Sequence, residues 1–359
     1  MWPDRRLLDL VGIELPIIQA PMAGASGSAL AIAVSEAGGL GSLPCAMLDP
    51  DKVRAEVGVI RQRTSNPVNL NFFAHRPAEN GGPGEAAWQA RLAPYYAEFG
   101  LNVSDAPAIN QMPFGESMCE VVEELKPEVI SFHFGLPADA LLARVKSTGC
   151  IVISSATTVV EARWLNARGC DAIIAQGFEA GGHRGMFLTE DLASQIGTMA
   201  LVPQIVDAVD IPVIAAGGIG DGRGIAAAFA LGGAAVQIGT AYLFTPQSLI
   251  TDLHRTALGE IEARHTALTN VFSGRPARSL VNRLVREIGP ISDMAPAFPT
   301  AGGALAPLKA KAEGAGSSDF SSLWSGQAAS LGRNVEAGEL TGMLADDARR
   351  QLERLSRQR

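Results

Sequence analysis

Eight short apolar segments recur along the chain, each closed by Gly, Pro or Asn and followed by a stretch compatible with a helix. Strands buried on both faces show such nearly continuous apolar runs, and their alternation with helices is typical of a parallel sheet. Eight of these units predict a closed TIM-like (β/α)8 barrel of the α/β class. The predicted strands are centred on residues 16–20, 39–43, 68–72, 128–134, 150–154, 171–176, 211–215 and 234–238.

The spacing of these segments also predicts the domain organisation. We assign residues 1–245 to the barrel, with an insertion at about 76–124, where the interval between predicted strands is longest. Residues 246–359 show no further clear strand and predict a mainly helical second domain that caps the barrel and contributes to substrate binding. Its last helix is a candidate to pack back on the barrel. The predicted helices outside the repeating units cover 85–100, 248–258, 280–288 and 340–355, and the last two are joined by a Pro-, Gly-, Ala- and Ser-rich stretch at 296–318.

Composition limits the function classes. Lys and Arg number 29 against 37 Asp and Glu, a net charge of −8 that disfavours nucleic acid as a partner. No run of 18 apolar residues and no signal-peptide pattern occurs, so we expect a soluble cytoplasmic protein with no membrane partner. The four cysteines form no CxxC pair, which predicts a reducing compartment and no metal site.

Common nucleotide and hydrolase motifs are missing from the sequence. No Gly-x-Gly-x-x-Gly follows the first strand and no Gly-x4-Gly-Lys-Ser/Thr loop occurs, which disfavours a Rossmann domain and a P-loop. Neither His-Glu-x-x-His nor Gly-x-Ser-x-Gly is present, which disfavours the simplest zinc-protease and serine-hydrolase mechanisms.

Glycines follow the last two predicted strands, at the barrel end where active sites lie. Gly217 and Gly218 close the seventh strand, and Gly239 closes the eighth. Glycine lets backbone N–H groups approach an anion closely, so the two loops together predict a phosphate-binding cup. The alternative is that these glycines only permit tight turns.

A histidine and two amides complete the candidate site. His183 follows two glycines in the loop after the sixth strand, where a near-neutral imidazole could act as a general base. His133 ends the fourth strand, as a second polar group of the cavity or as a hydrogen-bonded core residue. Asn69 and Gln176 could bind the polar edge of a cofactor ring, or could cap loops without any ligand. The remaining histidines, which are His75, His254 and His265, are assigned no function.

These segments resemble nitronate monooxygenases, formerly called 2-nitropropane dioxygenases. The resemblance spans most of residues 13–245 and continues more weakly through 273–278 and 324–327. The segments that carry it are Gln19-Ala20-Pro21-Met22, Asn69-Leu70-Asn71, Gln176-Gly177-x-Glu179-Ala180-Gly181-Gly182-His183-x-Gly185, Ala215-Ala216-Gly217-Gly218-Ile219 and Gln237-Ile238-Gly239-Thr240.

The resemblance implies a barrel that binds FMN non-covalently beneath a helical domain. It implies His183 as the catalytic residue, and His133, Phe272 and Arg275 are candidates for the substrate pocket. The implied FMN contacts are Ala20, Pro21 and Met22 along the isoalloxazine, Asn69 and Gln176 at its polar edge, and Gly181, Gly182, Gly217, Gly218, Gly239 and Thr240 at the phosphate, with Gln237 supporting that loop.

The implied reaction is the oxidation of alkyl nitronates, such as propionate 3-nitronate, and of neutral nitroalkanes by molecular oxygen. It yields a carbonyl compound and nitrite through a flavin semiquinone, needs no nicotinamide, and would serve nitroalkane detoxification. His183 would be the base for neutral nitroalkanes, or in its protonated form would anchor the nitronate. Two alternatives remain open. One is an FMN-dependent enoyl-acyl-carrier-protein reductase or related NAD(P)H-dependent flavin oxidoreductase, and the other is a non-catalytic flavin-binding barrel.

Overall fold

A computed structural model describes residues 2–77, 84–103, 106–107, 111–260 and 265–357. The insertion predicted at 76–124 therefore lies partly outside the described residues. The described strands, in chain order, are β1 (Ile17–Gln19), β2 (Gly41–Pro44), β3 (Val68–Phe73), β4 (Val129–His133), β5 (Ile151–Ala156), β6 (Ala172–Gln176), β7 (Gly182–His183), β8 (Val213–Ala216), β9 (Ala235–Ile238), β10 (Thr266–Thr269) and β11 (Ala277–Leu280).

Eight of these strands form one parallel sheet in the order β1-β9-β8-β6-β5-β4-β3-β2. The two edge strands meet through a parallel bridge between Ile18 and Leu40, so the sheet closes on itself. The Leu40 N–H donates to the Ile17 carbonyl at 2.9 Å, and the Gln19 N–H donates to the Leu40 carbonyl at 3.0 Å. The (β/α)8 barrel and all eight predicted strand positions are confirmed.

Helices surround the barrel and form most of the remaining chain. Their buried faces pack on the apolar strands, whose Val, Ile and Leu side chains are almost entirely inaccessible to water. Among the described ranges, no helix is long and apolar enough to cross a membrane. The helices are α1 (Arg6–Val11), α2 (Ser28–Glu36), α3 (Pro50–Arg63), α4 (Gly84–Phe99), α5 (Glu116–Leu125), α6 (Asp139–Ser147), α7 (Val159–Ala167), α8 (Thr198–Val206), α9 (Gly222–Ala230), α10 (Thr240–Leu243), α11 (Asp252–Gly259), α12 (Arg283–Glu287), α13 (Ala301–Gly314) and α14 (Ala337–Ser356).

A second, antiparallel sheet of three strands joins the barrel to the later part of the chain, in the order β10-β11-β7. The expectation that no strand follows the eighth barrel strand is therefore wrong. The helix predicted at 280–288 is also too long, because α12 begins only after Asn282, whose Oδ1 accepts from the Val285 N–H at 3.3 Å. Strands of four residues that pair with a distant partner leave too short an alternating pattern to recognise in a sequence.

The stretch predicted as a linker at 296–318 contains a 14-residue helix, α13. Its Gly and Pro content lowers helix propensity, but Leu305 and Leu308 are buried against α4. Trp88 of α4 donates to the Ala301 carbonyl at 3.1 Å, and the Tyr96 hydroxyl donates to the Ala304 carbonyl at 2.6 Å. Tertiary packing thus overrides the local composition, and a helix of the insertion shares a core with the region beyond 245.

The helices predicted at 85–100, 248–258 and 340–355 correspond to α4, α11 and α14. The last of them, α14, packs against α2 and α9 of the barrel, with Leu340, Leu344 and Ala348 buried. The domain boundary at 245 stays a prediction.

The α4–α13 contact gives a test of stability in the part of the chain outside the barrel strands. We expect Leu308→Ala to lower the free energy of unfolding by about 2–5 kcal/mol, because the side chain is fully buried and its loss leaves a cavity. Urea unfolding followed by circular dichroism measures the change. Leu355→Ala, at an exposed leucine of α14, is the matched control, and an equal effect of both substitutions would contradict the packing described here.

Candidate active site

A cavity of about 450 Å³ lies at the carboxyl end of the barrel, beneath the segments that follow residue 245. It is of the size that enclosed small-molecule sites commonly have. Of the sixteen residues predicted for the site, only Asn69 and Arg275 are missing from its wall. Those that line it are Ala20, Pro21, Met22, His133, Gln176, Gly181, Gly182, His183, Gly217, Gly218, Gln237, Gly239, Thr240 and Phe272.

His183 is held by strand pairing. β7 pairs antiparallel with β11, so that His183 lies opposite Ala277 and Gly182 lies opposite Arg278. Gly182 has a φ of +69°, in the left-handed region that side chains avoid, and a Cβ placed on it would meet nothing within 4 Å. The backbone conformation at position 182 therefore requires glycine. The same turn directs the imidazole of His183 into the cavity.

One imidazole nitrogen of His183 is bound and the other is available. Nε2 lies 2.8 Å from the Ser273 Oγ, and Ser273 also contacts the backbone of Arg275. Among the residues that the structure describes, none bonds Nδ1. The free nitrogen can therefore exchange a proton with a molecule in the cavity.

Aromatic rings enclose the His183 imidazole. The ring centroids of Phe134, Phe298 and Trp324 lie 5.9, 5.4 and 5.3 Å from it. Desolvation among these rings, together with smaller contributions from His133, Arg275 and His75, lowers the pKa of His183 to about 3. The imidazole is therefore neutral at physiological pH.

His133 combines the two roles considered for it, because it lines the cavity and is also hydrogen-bonded. Its Nε2 lies 3.2 Å from the carbonyl oxygen of His183, and its Nδ1 lies 3.0 Å from the Ser155 hydroxyl. A carbonyl only accepts, so Nε2 carries the proton and Nδ1 accepts from Ser155. Burial lowers the pKa of His133 to about 4, which leaves this ring neutral as well.

The side chain of Gln176 supports the loop that carries His183. Its Nε2 donates to the His183 carbonyl at 2.9 Å, and its Oε1 accepts from the Gly185 N–H at 2.7 Å. These two bonds match the alternative in which the Gln176 amide caps a loop. Gln176 lines the cavity as well, so a ligand contact and the loop contacts are compatible.

The glycine loops after β8 and β9 present backbone to the cavity. Gly217 and Gly218 have φ values of +108° and +70°, and a Cβ on Gly217 would lie 2.9 Å from the Ala180 nitrogen. Within the described part of the chain, the N–H groups of Gly218 and Ile219 have no hydrogen-bond acceptor. Consecutive free N–H groups in a positive-φ turn form a concavity that suits an anion.

Two further glycines near these loops, Gly181 and Gly239, are explained by different local contacts. A Cβ on Gly181 would lie 2.5 Å from the Gly326 nitrogen, so this glycine permits close packing of the 324–327 segment. Gly239 has a negative φ, and a Cβ there would lie 3.4 Å from that of Ala20. Beside it, the Thr240 hydroxyl accepts from the Gly326 N–H at 2.9 Å.

Asn69 lies inside the barrel, below the cavity. Its Nδ2 donates to the Ser42 hydroxyl at 3.0 Å, whereas its Oδ1 has no partner. Asn71, two residues closer to the carboxyl end of β3, lines the cavity instead. Both asparagines point inward because alternate residues of a strand share a face, so the sequence could not separate their depths.

Arg275 lies behind the cavity wall. Its guanidinium carbon is 4.0 Å from the centre of the Phe134 ring, and Nη2 donates to the Met186 carbonyl. Phe272, by contrast, is in the wall itself.

Several residues of the cavity were missed by reasoning from the sequence. Ser273 and Trp324 belong to the two weaker matching segments, 273–278 and 324–327, which were the available signal. Phe298 lies in a stretch read as a linker. His254 was assigned no function and yet lines the cavity together with Lys309.

This arrangement suits a flat ring system with an anionic tail. Free N–H groups, aromatic rings and a neutral imidazole line the same cavity. Gln237 also lines it, and its Oε1 is buried without a partner among the described residues. A buried acceptor without a donor is costly, so a ligand that offers hydroxyl groups would satisfy it.

Comparison with known proteins gives consistent results. The family model for nitronate monooxygenase matches residues 4–347. The chain is 42% identical over 354 residues to a nitronate monooxygenase of Paraburkholderia phytofirmans, covering 98% of this chain and 97% of that one. It is 42% identical over 347 residues to a nitronate monooxygenase of Pseudomonas aeruginosa, covering 96% and 99%. A crystal structure of nitroalkane oxidase from Streptomyces ansochromogenes superimposes with a TM-score of 0.90 at 39% identity, covering 98% and 99%.

The half-buried imidazoles of His183 and His133 predict a pH dependence of stability. The pKa values of His183 and His133, about 3 and about 4, lie below the roughly 6.5 of a histidine in an unfolded chain. As the pH falls through that upper value the unfolded chain binds more protons than the folded chain, so the free energy of unfolding decreases. Urea unfolding at pH 7 and pH 5 should show this loss reduced by about 1–2 kcal/mol in His133→Gln and in His183→Gln.

His265→Gln, which removes an exposed imidazole, is the control for this comparison. If the His133→Gln and His183→Gln variants lose as much stability between these pH values as the unaltered protein, the imidazoles are not neutral in the folded state.

Proposed function

The chain belongs to the nitronate monooxygenase family and is an oxidoreductase, and from that premise we propose that it oxidises alkyl nitronates with molecular oxygen, using FMN. The products would be a carbonyl compound and nitrite. One observation carries the proposal: a neutral imidazole, His183, opens into the same cavity as the free N–H groups of the Gly217–Gly218 loop. We further propose that the region beyond 245 is a cap that completes the substrate pocket.

The cavity has a matching group for each part of FMN. The phosphate would take the N–H groups of Gly218 and Ile219 and the hydroxyl of Thr240. The unpartnered Oε1 of Gln237 would accept from a ribityl hydroxyl. The segment 20–22 would lie along the ring system. When bound, the flavin supplies the electron acceptor for the nitronate and returns the electrons to oxygen.

Asn69 stays a predicted FMN contact: its unpartnered Oδ1 lies inside the barrel, and Asn71 rather than Asn69 lines the cavity. We propose that Gly181 and Gly182 contribute through their backbone, since Gly182 borders open space and Gly181 packs on residue 326.

His183 would act as the base when the substrate is a neutral nitroalkane. Nδ1 would take the proton from the carbon that bears the nitro group, while Ser273 holds Nε2 at 2.8 Å and fixes the ring. The lowered pKa of His183 keeps the imidazole unprotonated at neutral pH, which disfavours the alternative in which a protonated imidazole anchors the nitronate. A nitronate is already deprotonated at that carbon and needs no base.

The aromatic wall would keep water away from the reacting atoms. Phe73, Phe298 and Trp324 surround His183, and Trp324 also packs against Phe272 at 5.5 Å. Excluding water strengthens the polar interactions at the site and protects reactive intermediates. The cytoplasmic location and the lack of nucleic-acid and membrane partners remain predictions from the sequence.

The flavin spectrum of the purified protein tests the proposed function. We expect propionate 3-nitronate, added without oxygen and without any nicotinamide, to change the flavin absorbance, and oxygen to restore it. Bleaching by NADPH alone would instead support the enoyl-acyl-carrier-protein reductase. A flavoprotein inert to both would support a non-catalytic barrel, and a protein purified without bound flavin and unable to bind added FMN would contradict the cofactor.

Replacing His183 should affect the neutral nitroalkane and the nitronate to different extents. We expect His183→Asn to retain FMN and to lower kcat/KM for neutral nitroethane by about 10²–10⁴-fold, the usual contribution of general-base catalysis. Activity on preformed ethyl nitronate should fall far less, because its proton is already gone. Steady-state assays with both substrates measure the difference, and His265→Asn is the control. Equal losses on the two substrates would refute the base assignment.

A further inference from the structure

Three arginines hold the loop that carries His183. Arg184, Arg275 and Arg278 all donate to backbone carbonyls between residues 176 and 186, on both sides of the histidine. We call these three residues the arginine clamp. Two of them, Arg275 and Arg278, come from the region beyond the barrel, and Arg184 belongs to the loop itself.

The most buried member is Arg184, which is 0% exposed. Its Nη1 donates to the Gly177 carbonyl at 2.6 Å and its Nη2 to the Gln176 carbonyl at 2.7 Å. Its Nε donates to the Gln195 Oε1 at 2.9 Å. All three nitrogens are therefore satisfied by neutral oxygens. Burial lowers the pKa of Arg184 to about 10, which still leaves it charged at neutral pH.

The two members from the cap bind in the same way. Arg278 donates from Nε and Nη2 to the Phe178 carbonyl, at 3.1 and 2.8 Å, and from Nη1 to the Thr266 hydroxyl at 3.1 Å. Arg275 donates to the Met186 carbonyl. These acceptors are neutral too, so none of these hydrogen bonds neutralises the charge of an arginine in the clamp.

Among the described residues, no carboxylate forms an ion pair with the clamp. Two carboxylates lie in the neighbourhood and are bound elsewhere. Glu161 accepts from Thr157 and from the Phe187 and Leu188 N–H groups, and Glu179 accepts from the Thr198 N–H and hydroxyl. Glu190 is exposed. The three guanidinium charges thus face the buried Glu161, the half-buried Glu179 and the exposed Glu190, and none of these carboxylates forms an ion pair with the clamp.

Arg275 and the imidazole of His183 both contact the ring of Phe134. Arg275 lies on one face of Phe134, with 4.0 Å between the guanidinium carbon and the ring centre. The centre of the same ring is 5.9 Å from that of His183, in an edge-on contact. The intervening ring and the surrounding aromatic wall exclude water, so the charge is poorly screened.

We propose that the arginine clamp makes the cavity selective for the nitronate anion over its neutral nitroalkane, by supplying positive charge behind the His183 loop. This inference rests on the proposed function. It names the residues that would determine whether the anionic or the neutral form of the substrate binds better. None of the three arginines lines the cavity, so they are positioning residues that act through the loop and through their charge. A cation near the flavin also favours its more negative, reduced form and raises its midpoint potential.

Substitution of Arg275 separates charge from packing. Arg275→Gln keeps a donor and removes the charge, whereas Arg275→Lys keeps the charge and loses the planar fork. We expect the Gln variant to raise KM for ethyl nitronate by about tenfold and to change KM for nitroethane less than about twofold. The Lys variant should behave nearly as the unaltered enzyme does. Arg91→Gln is the control, because Arg91 also donates to a carbonyl, that of Glu287, away from the cavity.

Two measurements do not depend on turnover. In Arg275→Gln, the midpoint potential of the bound flavin should fall, and nitrate, a planar inert anion, should bind the flavin-free protein about tenfold more weakly in a calorimetric titration. Arg278→Gln is a second variant with the same expectation, for use if Arg275→Gln does not fold.

Equal changes for ethyl nitronate and nitroethane, or equal losses in the Gln and Lys variants, would reduce the clamp to a structural role and overturn the proposal. An unchanged potential with unchanged nitrate binding would overturn it too. If ethyl nitronate is not oxidised at all, the proposed function fails. Weaker nitrate binding in Arg275→Gln would then still support charge-based anion selection.

Discussion

The pairing of β7 with β11 is the interaction on which the site depends. Only two residues of the loop after β6 take part, yet this pairing fixes the direction of His183 and joins the barrel to the chain beyond 245. β11 in turn follows Ser273, which binds the His183 imidazole, and contains Arg278, which binds the same loop. Without this strand contact the barrel would keep its glycine loops but would lose the pairing that orients His183.

The electrostatics of the site follow from what is buried there. Aromatic rings remove water from His183 and His133 and leave both imidazoles neutral. Arginine cannot lose its proton so readily, and its burial is tolerated because carbonyls and amides satisfy its donors. Neutral bases beside retained cations are the combination that suits a carbon acid whose conjugate base is an anion. In the proposed mechanism, selectivity and catalysis have separate physical sources, which are the arginine clamp and His183.

The barrel was predictable because each of its units is local. An apolar strand, a glycine or proline that ends it and a following helix are all read from consecutive residues, and eight repeats leave few alternatives. The elements beyond residue 245 were harder to predict from the sequence. α13 contains glycines and a proline and forms because α4 covers it, and β10 and β11 form because they pair with each other and with β7. Such elements depend on partners that are distant in the sequence.

The sequence by itself determined the architecture of the barrel, the end at which the cavity lies, and most of the residues that line it, including His183 and the glycine loops. These follow from strand order and from residue types whose backbone freedom or chemistry is intrinsic. Only the tertiary structure decided that Asn71 rather than Asn69 reaches the cavity wall, that Ser273 holds the imidazole, that Arg275 stands behind Phe134, and that both histidines are neutral. Depth, contact and desolvation arise when separate segments meet, and no single segment encodes them.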